Sequence, residues 1–111
     1  MYMPMEKLSL RTEHTEDRTI VHIGGEFDLE AASRMRAALN SLIEQADRRI
    51  TLDIQQLKYI DSTGIGILIS LAKALHARNV SFDVVHIPSH IRKLFDMTGI
   101  TPFLMKPESS I

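Results

Sequence analysis

The sequence predicts an α/β fold, a single domain built on a mixed four- to five-stranded sheet with amphipathic helices. Three observations carry this. Two β-rich runs near the start are separated by a polar turn, apolar residues recur at helical spacing after Asp28 and again after Asp61, and short apolar runs lie between those helical stretches. Strands that alternate with amphipathic helices pair in parallel through helical crossovers, whereas an opening hairpin pairs antiparallel, so the sheet is mixed. A chain of 111 residues with 44% hydrophobic content is enough for one core.

The elements follow in order. Leu8 and Leu10 alternate with polar neighbours, Thr15-Glu16-Asp17-Arg18 turns the chain, and Ile20-Val21-His22-Ile23 returns as a strand that Gly24-Gly25 is expected to break. Asp28 is a natural N-cap, and Leu29, Ala32, Met35, Leu39, Leu42, Ile43 and Ala46 form an apolar helical stripe behind it. Ile50, Leu52 and Ile54 alternate as a short strand, and a connection through Leu57 and Tyr59 leads to Asp61-Ser62-Thr63-Gly64. A second helix carries Ile65, Leu68, Ile69, Ala72 and Leu75 on one face. Phe82 to Ile87 is a strand, Pro88 and Ser89 start a third helix with Ile91, Leu94 and Phe95, and Gly99 closes it as a left-handed cap. Phe103-Leu104-Met105 is expected to add a last strand. Residues 1–7 and 107–111 are weakly patterned and read as tails around a domain at 8–106.

Composition narrows the function classes. A net charge of -1, with 13 basic and 14 acidic residues and no long run of either sign, gives no field to attract nucleic acid or anionic lipid. The absence of cysteine removes disulfides, thiolate zinc sites and cysteine nucleophiles. The start lacks the apolar region of a signal peptide and no apolar run is long enough to span a bilayer, so a cytoplasmic protein without membrane insertion is expected.

The segment Tyr59-Ile60-Asp61-Ser62-Thr63-Gly64-Ile65-Gly66 is the most unusual. Asp, Ser and Thr are all favoured caps, so helix initiation alone explains much of it. Two glycines inside a helix, however, cost about 1 kcal/mol each against alanine. Close approach of the sheet or of a partner at Gly64 and Gly66 would offset that cost and leave the Ser62 and Thr63 hydroxyls uncovered. A phosphate on Ser62 would also sit at a helix N-terminus, where backbone N–H groups favour negative charge.

Enzymatic readings fare worse. A nucleophile elbow needs a glycine two positions before the serine, where Ile60 stands. The Gly-Lys-Ser/Thr ending of a phosphate-binding loop is absent, and Gly24-Gly25 is followed by Glu26, Phe27 and Asp28 instead of the third glycine of a dinucleotide fingerprint. His14, His22, His76, His86 and His90 are scattered without a metal-ligand pattern, and Asp53 reads as a turn-forming aspartate or one half of a charged pair. The six methionines read as gap fillers. No cofactor and no metal are expected. A hydrolase using Ser62 with one of the histidines ranks last, since its base and oxyanion site would have to come from dispersed residues.

Three stretches resemble the STAS domain family, and within it the small anti-sigma-factor antagonists: Gly25-Glu26-Phe27-Asp28, Leu52-Asp53-Ile54 through Asp61-Ser62-Thr63-Gly64-Ile65-Gly66, and Lys93-Leu94-Phe95-Asp96-Met97-Thr98-Gly99-Ile100. The resemblance runs from Leu8 to Met105. It implies that Ser62 is the phosphoacceptor, with Thr63 a weaker second one, and that Asp28, Asp61, Ser62, Thr63, Gly64, Ile65 and Gly66 form the partner surface. Ile65 and Ile67 are expected to supply exposed apolar anchors. The implied partners are a serine-kinase anti-sigma factor, which supplies the ATP, and a phosphatase that resets Ser62. A regulatory STAS subunit of a membrane or lipid transporter, not controlled by phosphorylation, is the alternative.

Overall fold

The computed structural model describes residues 8–104; the expected tails, and Met105 and Lys106 of the expected domain, lie outside the described residues. Five strands form one mixed sheet: β1 (Leu8–His14), β2 (Arg18–Phe27), β3 (Arg49–Asp53), β4 (Leu57–Ile60) and β5 (Phe82–Val85). The helices are α1 (Ala32–Glu44), α2 (Ser62–Ala77), α3 (Ser89–Thr98) and a single turn, α4 (Thr101–Leu104). β1 and β2 pair antiparallel, whereas β2–β3, β2–β4 and β3–β5 are parallel. The mixed sheet follows from this hairpin and the helical crossovers.

β2 is the organising strand. One edge carries β1, and the other carries β3 along Arg18–His22 and then β4 along Gly25–Phe27. The expected break at Gly24-Gly25 does not occur. Gly25 instead adopts φ 87° and marks a register shift in the pairing with β4, a conformation that glycine reaches at no steric cost. β4 itself corrects the reading of Leu57 to Ile60 as a plain connection. Its four residues are buried at the two ends and exposed in the middle, so they lack the period-two signature that betrays a strand.

Val21 and Ile23 of β2, Ile50 and Leu52 of β3 and Val84 of β5 join Met35 and Leu39 of α1 and Leu68, Leu71 and Leu75 of α2 in one continuous core. Alternate positions such as His22, Asp53 and Asp83 face the other way, as strand geometry demands. Gly99 is left-handed at φ 76° and closes α3 as expected. Phe103 and Leu104 of the expected last strand are helical instead, and Met105 lies outside the described residues. Pro102 falls in the first turn, where its missing N–H costs nothing, the Thr101 hydroxyl donates to Asp96 at 2.6 Å, and Leu104 is fully buried in the core.

Candidate functional site

The site is set by where two parallel strands stop. Phe27, the last residue of β2, pairs with Ile60, the last of β4, so the next residues, Asp28 and Asp61, leave the sheet side by side. Both then cap helical turns. Asp28 Oδ1 accepts from the Ala31 N–H at 3.1 Å and opens a short 3-10 turn, Leu29–Ala31, that leads into α1. Asp61 Oδ1 accepts from the Gly64 N–H at 3.1 Å and opens α2. The second oxygen of Asp61 reaches across the junction, where Oδ2 accepts from the Leu29 N–H at 3.2 Å. One carboxylate thus satisfies first-turn donors of two different elements, and so fixes their relative position.

Ser62 is the first residue of α2 and is exposed, and Thr63 behind it is half-buried. Gly64 lies on the sheet. A Cβ there would meet the Phe27 carbonyl oxygen at 2.6 Å and Ile60 Cγ1 at 2.7 Å, so glycine is what lets α2 start against the end of β2. Gly66 differs: it is exposed, and a Cβ there would meet nothing within 4 Å. The close-approach argument holds within the fold for Gly64 alone.

The expected apolar anchors are corrected as well. Ile65 is 9% and Ile67 3% exposed, because α2 packs against both the sheet and α1 and buries more than a single stripe. The exposed apolar side chains are elsewhere. Leu29, expected on the buried stripe of the first helix, is 72% exposed because it sits on the 3-10 turn ahead of α1, and Tyr59 is 50% exposed on β4. With Asp28, Glu30 and Asp61 they line a shallow, open depression. Sequence reasoning missed both. The available signal for Leu29 was its place between Asp28 and Glu30, a flanking that suits a surface position.

The histidines engage other partners. His14 meets the Thr19 hydroxyl at 3.2 Å, His90 donates to the Lys58 carbonyl at 2.9 Å, and His22 and His86 both approach Asp53. Among the described residues no group of three or more His, Asp or Glu side chains is arranged to hold a metal ion, and no helix is long and apolar enough to cross a membrane.

The Mlab, STAS domain family model matches residues 10–105. The chain belongs to the STAS domain family. An anti-sigma-B factor antagonist of Staphylococcus aureus (strain NCTC 8325 / PS 47) is 26% identical over 93 residues, which cover 84% of this STAS chain and 86% of the relative. The anti-sigma factor antagonist SpoIIAA, a Bacillus cell fate determinant, has been solved in two forms, both 24% identical to this chain. The unphosphorylated form superposes with a TM-score of 0.73 over 87% of this chain and 86% of that one, and the phosphorylated form with 0.68 over 87% and 89%. An anti-sigma factor antagonist from Mycobacterium paratuberculosis, 20% identical, gives 0.81 over 91% and 86%. These solved structures share the STAS fold of this chain.

Proposed function

We propose that this STAS protein is an anti-sigma-factor antagonist that works by partner switching. Unphosphorylated at Ser62, it binds a serine-kinase anti-sigma factor in the cytoplasm and frees the sigma factor. The partner, which brings the ATP, phosphorylates Ser62, and a phosphatase resets it. The chain is the substrate of this chemistry and catalyses none of it. The observation that carries the reading is the exposed Ser62 hydroxyl on the first turn of α2, directly after an aspartate whose carboxylate is engaged by backbone N–H groups. The names of its relatives support the same role.

Phosphorylation adds about −1.5 to −2 charge. The start of α2 tolerates that charge within the domain, but a partner surface shaped for a neutral hydroxyl does not. A loss of about 3 kcal/mol weakens binding more than a hundredfold. Ser62→Ala is expected to bind the kinase and resist phosphorylation, Ser62→Asp to bind poorly, and Thr63→Ala to remain phosphorylatable. Binding titrations, with circular dichroism as the folding control and mass spectrometry to place the phosphate, check all three. Phosphate on Thr63 alone, or full-strength binding by the Ser62-phosphorylated chain, overturns the mechanism. A chain that takes no phosphate yet binds a transporter subunit would belong to the alternative class.

A further inference from the structure

We infer that Leu29 and Tyr59 are the apolar anchors of the Ser62 face, and that they grip a protein partner whose surface offers an apolar cleft rimmed by arginine or lysine side chains. The inference rests on the proposed function and names the chemistry of its partner. Among the described residues only three large apolar side chains are exposed: Leu29 at 72%, Tyr59 at 50% and Met97 at 81%. Two of the three share one depression, and its other lining residues, Asp28, Glu30 and Asp61, are all acidic. The chain as a whole is nearly neutral at -1, whereas this depression gathers three carboxylates around an apolar pair.

The backbone that carries both anchors is fixed within the fold. Tyr59 belongs to β4, and the backbone N–H of Leu29 is tied to Asp61 at 3.2 Å. A backbone fixed in this way has less to order on binding, and tyrosine combines a large apolar area with few rotamers and a ring face that attracts cations. The charge decides the occupant. A second copy meeting this face across a two-fold axis would bring the same carboxylates against each other, and an anionic lipid surface would be repelled. A basic, cleft-bearing protein surface fits. A phosphate on Ser62, one residue from Asp61, adds to the same negative field and so works against the same partner.

The test titrates the full chain and its variants against each purified serine-kinase anti-sigma factor of the source genome, with circular dichroism confirming the fold. Leu29→Ala and Tyr59→Ala are each expected to weaken binding roughly tenfold, whereas Met97→Ala, near the end of α3, leaves it unchanged. Raising salt from about 0.05 to about 0.5 M is expected to weaken the native chain more than the double variant Asp28→Asn/Glu30→Gln. If both alanine variants bind like the native chain while Ser62→Asp does not, the anchors are wrong and the switch stands. If Ser62→Asp binds at full strength while the alanine variants are weakened, the anchors stand and the phosphorylation control falls. Failure of every factor to bind the unphosphorylated native chain overturns both.

Discussion

Two aspartates end parallel strands in this fold, and they do opposite things. Asp61 comes directly after β4 and gives its carboxylate to backbone N–H groups of two helical starts, which leaves the neighbouring Ser62 hydroxyl in solvent. Asp53 ends β3 and is enclosed by side chains. Its Oδ1 accepts from the Gln55 N–H at 3.0 Å, and its Oδ2 meets His86 Nδ1 at 3.0 Å and His22 Nδ1 at 3.5 Å. His22 in turn reaches Glu13 at 3.0 Å, so the row Glu13, His22, Asp53, His86 crosses β1, β2 and β3 and reaches the residue just beyond β5. Burial pushes the Asp53 carboxyl up, but the Gln55 and His86 hydrogen bonds and the charges of His86 and His22 outweigh it and hold the group below its ordinary value. The contrast comes from the chain just past each strand. A helix starts at once after Asp61, whereas a tight turn to β4 succeeds Asp53. The junction after β4 is thereby built to present a surface, and the one after β3 to tie strands together.

The comparison breaks most sharply at Gly64. Gly64→Ala forces a Cβ against the Phe27 carbonyl, a backbone atom that cannot step aside cheaply, and is expected to cost about 2 kcal/mol in urea unfolding. Gly66→Ala, in open space on the same helix, is expected to stabilise by up to about 1 kcal/mol. Equal effects at the two positions would mean that α2 does not start against β2.

Asp61→Ala tests the bridge between the two helical starts. It removes the acceptor for both the Gly64 and the Leu29 N–H, and an expected loss of about 1.5 kcal/mol reflects a missing cap plus one further hydrogen bond. Hydrogen exchange is expected to quicken at Leu29 as well as at Gly64. Faster exchange at Gly64 alone would show that Oδ2 holds nothing.

The smallest effect belongs to Asp53→Asn. The folded carboxyl titrates below the ordinary 3.8, so its stabilising contribution is present above that value and is lost as pH falls through the lower folded one. The native advantage over the variant is expected to be about 1 kcal/mol near pH 6 and to shrink steadily below pH 3.8. An advantage that stays constant into strong acid would remove the row of charges from any account of stability.

Much of this architecture was legible because its signals are local. The hairpin turn, the caps at Asp28 and Asp61, the stripe of Ile65, Leu68, Ala72 and Leu75, and the left-handed Gly99 each depend on residues within a turn or two of one another. Leu29 shows where that fails. Its spacing suits the apolar stripe of the first helix, but the 3-10 geometry ahead of α1 turns it outward. Phe103 and Leu104 likewise have strand-like composition, yet Thr101, Pro102 and the Asp96 contact start a helical turn.

From the sequence by itself came the α/β class, the order of its main elements and the helix start at Asp61 and Ser62, because capping chemistry and hydrophobic period are written in neighbouring residues. Tertiary structure decided the rest. It paired Leu57–Ile60 with the end of β2, which brings Asp28 beside Asp61, turned Ile65 and Ile67 inward, and left Leu29 and Tyr59 facing solvent. It also separated two glycines that look alike in sequence, Gly64 pressed against Phe27 and Gly66 open. The physical reason is distance along the chain: Phe27 and Ile60 are strangers in sequence, and only the sheet hydrogen bonds that make them neighbours determine which side chains are left at the surface.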